Sequence, residues 1–136
     1  MSCAHQQRGR VNLVAKSFLW MAGVAAALAV LLGAFGAHGL KARLAPDMMA
    51  VYQTAVQYHM WHALGLALIS VVALHYPDRS ALRLSSYFML AGMIIFSGSL
   101  YLLAVTNLKM LGAITPVGGL LLIAAWLVFA WGIARE

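Results

Sequence analysis

Twelve charged side chains divide this 136-residue chain into four long stretches that carry none. The charge-free windows run Ser17–Leu40, Met48–Pro77, Leu84–Leu108 and Met110–Ala134, each 24 to 30 residues long. A helix rises about 1.5 Å per residue, so about 20 residues cross the roughly 30 Å hydrocarbon core of a bilayer. Each window therefore holds one span, and none comfortably holds two. A charge at mid-bilayer costs at least about 2.5 kcal/mol on insertion scales, which is the physical reason for such gaps. The windows contain long apolar runs, Val24–Leu32 and Leu120–Phe129, without the alternation of a transmembrane strand. The expected fold is an all-α integral membrane protein, a four-helix bundle with short loops and spans at about 17–40, 54–76, 84–106 and 111–134.

Composition excludes the soluble alternative. Hydrophobic residues make up 64% and charged residues 9% of the chain, against about 25% charged in an ordinary soluble domain. A domain this short has too much surface for its volume to bury four apolar helices from water. The net charge of +6 does not imply a nucleic-acid partner, because the basic residues are scattered at the edges of apolar runs and form no stripe. The lipid bilayer is the expected partner. Four spans put both termini on one side, with Arg8, Arg10, Lys16, Arg79, Arg83 and Arg135 there and Lys41, Arg43 and Lys109 opposite. That balance predicts cytoplasmic termini.

Residues 1–16 read as a basic cytoplasmic tail and 17–136 as a single transmembrane domain. The basic start and the small residues ending the first window resemble a signal peptide, but its apolar stretch exceeds the usual length, which points to a retained signal anchor. Cys3 is the sole cysteine, so no intrachain disulfide can form. Pro46 and Asp47 read as the start of the second helix, Tyr76-Pro77 as its end, and Ser85 and Ser86 as interfacial residues opening the third span. Ala25, Ala29, Gly33 and Ala37 recur every four positions and predict close packing of the first helix, within the chain or in a homo-oligomer.

Polar groups inside spans are the candidate site. His38 ends the first span and Gln57, Tyr58, His59 and His62 begin the second; a short link joins the two, so these side chains are expected at similar depth and able to converge. His59 and His62 are three apart on one helix, a spacing that metal-binding pairs use. No carboxylate or thiolate accompanies them, so no metal or cofactor is predicted; His38, His59 and His62 remain the candidates for one, beside hydrogen bonding and proton-linked work. Ser97, Ser99 and Tyr101 form a second polar cluster within FSGSLY (96–101), read as interhelical glue. In LGAITPVGG (111–119), Pro116, Gly118 and Gly119 offer a hinge or a packing notch.

The strings GAFGAHGL (33–40), YQTAVQYHMWHALGLAL (52–68), FSGSLY and LGAITPVGG together resemble one family, the small bacterial inner-membrane proteins of the YgdD type, whose eukaryotic relatives are called transmembrane protein 256. The likeness covers most of the chain beyond about Lys16. It implies an inner-membrane location and a multi-span bundle, in a family of unknown function with no catalytic residues to carry over. Three functions are consistent with these features. The first is a non-enzymatic accessory or interaction bundle, as a homo-oligomer or with another membrane protein. The second is a transporter or channel subunit using the histidine cluster and the Pro116 hinge. The third is a metal- or haem-binding membrane protein.

Overall fold

Within a bilayer every backbone amide must bond inside the protein, and four helices do this for the segments that the charges delimit. The structure, a computed structural model, describes the backbone of residues 2–135; side chains are described from Gly9 onward except Val11. The side chains of Cys3 and Arg8 lie outside the described residues. Helix α1 spans Ser2–Phe35 and runs into a π-helical turn, Gly36–Leu40; α2 spans Pro46–His75, α3 Ser80–Thr106 and α4 Met110–Ala134. All four contain segments long and apolar enough to cross a membrane, the first from Asn12 to Leu40. No strand occurs among the described residues.

The ends of the helices follow from local chemistry. Ala45 is extended, Pro46 occupies the first turn of α2 and Asp47 stands near its positive end. Tyr76 donates its N–H to Val72 before Pro77 stops the helix. Asn107 takes the left-handed conformation, φ 55°, and closes α3 with a 2.8 Å bond to Leu103; asparagine is among the few residues that tolerate it.

The helices are longer than the expected spans. At 30 residues, α2 is about 45 Å long, well beyond a core of about 30 Å, so its amphipathic first turns reach into the interface or the helix tilts. The backbone of the tail expected over residues 1–16 is helical from Ser2. Its last part packs on the bundle: Ala15 is buried in a cluster with Ala73 and Leu82.

Each helix packs chiefly on the next in sequence, and α1 and α3 scarcely touch. The largest core cluster joins all four through Phe18, Ala22 and Ala25, Leu66 and Ile69, Met89 and Met93, and Leu122 and Ala125. On α1 the buried positions are Ala15, Phe18, Ala22, Ala25, Ala29, Gly36 and Leu40. Steps of three and four alternate up to Ala29; the half-buried Gly33 follows at a second step of four, and Gly36 and Leu40 of the π-helical turn at three and four. The expected four-residue ladder is therefore corrected at its end: Ala37 is exposed. Each step of four advances about 40° beyond a full turn, so Ala37 has rotated off the face that Ala25 occupies, whereas a 3–4 alternation keeps one seam. On α4 the seam is Thr115, Gly118, Leu122, Ala125 and Gly132, a single narrow stripe.

Glycine sets how closely α3 and α4 approach. A Cβ on Gly118 would stand 2.7 Å from the Phe96 Cα, one on Gly92 2.9 Å from the Leu122 backbone nitrogen, and one on Gly132 2.9 Å from the Ala81 Cβ. In lipid such backbone proximity is what van der Waals attraction and interhelical bonds require. Gly118→Ala is expected to destabilise the bundle by about 1–3 kcal/mol, because the Phe96 backbone cannot yield as a side chain would. Gly23→Ala, whose new methyl group meets nothing of the same chain within 4 Å, should leave the unfolding of the separated monomer unchanged or stabilise it by up to about 1 kcal/mol. Thermal unfolding in a mild detergent distinguishes the two.

Candidate functional site

The polar residues inside the spans do not form one convergent cluster: some pair between helices and others bond back to their own helix. On α2, His59 Nδ1 lies 3.1 Å from the Tyr101 hydroxyl of α3, and the two rings meet edge to face. His62, one turn on, has its Nδ1 2.7 Å from the Tyr58 carbonyl, where as an N–H it donates back to its own helix. Its ring stacks on Tyr58, and its outer side faces Trp126 of α4. Tyr58 in turn stacks on Phe96 with ring centres 4.6 Å apart. The spacing of three thus places His59 and His62 at different partners.

His38 does not join them, contrary to the expectation of convergence. It is exposed on the π-helical turn between Gly36 and Leu40, both buried. Two residues along a helix is roughly half a turn, so a side chain midway between two inward positions points outward. Lys41 closes this wide turn by donating its N–H to the Gly36 carbonyl. Gly36 is needed there: a Cβ would come 2.5 Å from the Tyr52 ring, whose hydroxyl donates to the Leu32 carbonyl at 2.8 Å. Gln57 is also exposed. Among the described residues no three His, Cys, Asp or Glu side chains come together as a metal site.

In α3, Ser99 and Thr115 of α4 share a 2.8 Å hydrogen bond. Both oxygens also stand within reach of a carbonyl of their own helix, Ser99 of Phe96 and Thr115 of Leu111; with one hydrogen each, the hydroxyl that donates across the seam gives up that bond and the other keeps it. Ser97 differs: it is 3% exposed, yet its Oγ has no hydrogen-bond partner among the described residues. At the candidate hinge, α4 continues as regular helix through Pro116, whose own side chain is exposed. Gly118 is the notch that receives Phe96, and Gly119 faces the edge of the same ring.

Three ties fall on residues that sequence reasoning had not assigned to the site. Ser85 and Ser86, expected at the interface, are buried; Ser85 donates to the Ala125 carbonyl across the α3–α4 seam at 2.7 Å. Thr115 has the role given above. Arg79, counted only for topology, donates to the Gly132 and Ile133 carbonyls at 2.7 and 2.9 Å. It satisfies the open, negative end of α4 with a cation and locks the α2–α3 loop to the C-terminal end of the chain. The signal for Ser85 was its place on the seam with Leu82, Met89 and Gly92; for Arg79 no sequence signal names a partner 53 residues away. A double-mutant cycle on Ser99→Ala and Thr115→Val should give a coupling energy of about 0.6 kcal/mol and no more than about 1.7, measured by unfolding in detergent.

Comparison with known proteins places these features in a family. A family model described as "Protein of unknown function (DUF423)" matches residues 32–119, a segment that contains every candidate site residue. The UPF0382 membrane protein YwdK of Bacillus subtilis (strain 168) is 44% identical over 113 residues, covering 83% of this chain and 92% of the relative. The UPF0382 membrane protein SH2409 of Staphylococcus haemolyticus is 42% identical over 113 residues, covering 83% of this chain and 91% of the relative. No solved structure matches the chain. These similarities bear out the expectation of a small membrane family of unknown function.

Proposed function

The chain belongs to the family of multi-pass membrane proteins described as DUF423, and from that premise we propose that it acts as a non-enzymatic accessory or interaction bundle. The observation that carries this reading is the outer face of α1. Gly23, Ala27 and Ala34 are all exposed, and at 100° per residue they fall within about 40° of one another. Among the described residues no other helix comes within 4 Å of a Cβ at Gly23. Small residues let two helices approach closely in lipid, and here that capacity faces away from the chain's own core. The partner is a second copy or another membrane protein.

The internal polar groups support the same reading. Ser85, Ser99, Thr115 and Arg79 hold α3 against α4, and short loops connect the helices, so the bundle offers its flanks as binding surfaces. We place it in the bacterial plasma membrane with both termini cytoplasmic. The distribution of basic residues supports this orientation, and Arg79, bonded to the end of α4, stands with the majority.

Two measurements test the proposal. Purification in mild detergent should recover a homo-oligomer or a stoichiometric membrane partner, and Gly23→Leu with Ala27→Leu should release it while the helical content stays unchanged; a monomer with no partner in both wild type and variant overturns the reading. Reporters fused to either end should be active on the cytoplasmic side only, and activity outside the cell would reverse the orientation.

A further inference from the structure

Between α1 and α3, where the two helices scarcely touch, lies a cleft of about 430 Å³ open to the membrane. Its volume is within the range of small-molecule sites, about 300–1,000 Å³. Its walls are apolar, with Val24 and Leu28 on one side and Leu90, Met93 and Ile94 on the other, and it ends at Ser97, Gly98, His59 and Tyr101.

Two features at that end have no explanation within the chain. Ser70 and Ser86 bond back to their own helix and Ser99 has Phe96 and Thr115 within reach, but Ser97, a residue of the cleft wall, has a buried hydroxyl with no partner among the described residues, one rotation about its Cα–Cβ bond from a new partner. Gly98 sits mid-helix, where glycine is unfavourable. No neighbour demands it, because a Cβ there would meet nothing within 4 Å. Gly92 and Gly118, by contrast, are required by the backbone of the facing helix. Both features are accounted for by a group that occupies the cleft.

The hydrogens define that group. Neutral histidine carries one ring N–H and tyrosine one O–H, so the single bond between His59 and Tyr101 uses one of two hydrogens. Whichever tautomer is present, the pair keeps a donor, and Ser97 supplies a second. Among the described residues no charged side chain borders the cleft, so it suits a neutral acceptor on an apolar tail. Depth selects among such acceptors. Tyr101 is five residues from the end of α3, about 7–8 Å. The 27 residues of that helix exceed the hydrocarbon thickness by roughly 5 Å at each side. Counted from that end of α3, the Tyr101 backbone lies near the hydrocarbon edge, the region of lipid ester carbonyls, and Ser97 precedes it by one turn on the same face, so their side chains can meet one group between them.

We propose that this cleft binds one acyl chain of a bilayer glycerolipid, with Ser97 and the His59–Tyr101 pair donating to its ester carbonyl. The chain descends between α1 and α3 toward the bilayer centre, filling the gap that the two helices leave.

Native mass spectrometry of the delipidated protein, supplied with dioleoyl phosphatidylethanolamine or its dialkyl-ether analogue, tests this. The ester lipid should be retained about five- to tenfold better, the equivalent of roughly 1–1.4 kcal/mol. Ser97→Ala and Tyr101→Phe should remove that preference, and Gly98→Leu, which projects a side chain into the cleft, should abolish retention of both lipids. Equal retention of ester and ether lipids, or an unchanged preference in Ser97→Ala, overturns the proposal without relying on the Gly98 variant folding. Better retention of a prenylated benzoquinone than of the ester lipid overturns the glycerolipid assignment. The oligomeric state is read separately in the same spectra, so failure here is distinct from failure of the association proposed above.

Discussion

In hydrocarbon a leucine gains almost nothing by leaving its solvent for a protein interior, so the force that folds soluble bundles is missing here. Helices associate in lipid through close packing, interhelical hydrogen bonds and the entropy of displaced lipid. The architecture depends on that constraint. Where α3 meets α4, glycine at positions 92, 118 and 132 brings the backbones together, and Ser85 and Ser99 place hydroxyls across the seam. Leucine, isoleucine and tryptophan lie mostly on the outside, at Leu31, Leu120, Ile123 and Trp20. This is the reverse of their place in water.

The same constraint explains why four helices of similar hydrophobicity are not equivalent. The inward face of α2 is broad, from Tyr52 and Ala55 through His62, Gly65 and Leu66 to Ser70 and Ala73, because it serves α1, α3 and the Trp126 ring. Helix α4 needs only one stripe, since it rests on α3 and is fixed at its far end by Arg79. Helix α1 is held along an alanine seam and by Tyr52 reaching back to Leu32. A seam of alanines carries fewer contacts per turn than the glycine-cut groove opposite. The first helix is thus the natural one to part from its neighbour, and the cleft lies on its side of the bundle.

Most of the fold was legible because charge and backbone chemistry act locally. Gaps between charges located four helices, and Pro46, Pro77 and the short links located their ends. What escaped depends on rotation about the helix axis, which a list of residue types does not display. Ala25 and Ala37 look alike in a fourfold ladder but stand on different sides of α1. His38 fails on two counts: it stands opposite the first turns of α2, since Gly36 already faces Tyr52, seven residues before His59, and it points outward. Ser85 and Ser97 are the same residue type on the same helix, twelve positions apart; only the facing helix decides that one meets the Ala125 carbonyl while the other meets none. Polarity within the spans did point to His59, Ser99 and Tyr101, since a buried polar group in lipid must be satisfied somewhere.

That rule also separates structural polarity from polarity of another kind. A hydroxyl that ties two helices has both ends of its bond inside the chain, as Ser99 and Thr115 do, and a glycine that admits a neighbour leaves room an added Cβ would take, within 3 Å of that neighbour, as Gly118 does for Phe96. Ser97 and Gly98 meet neither condition although they lie between residues that do. Two adjacent departures on one face, beside the surplus hydrogen of the His59–Tyr101 pair, are hard to assign to packing, which would have favoured alanine at both positions. Stability alone would close the α1–α3 gap with larger side chains, as Leu66 and Met89 close the centre of the bundle. The gap persists where the polar groups are, so the least economical part of the helix packing is also the part best suited to hold something that the chain does not itself contain.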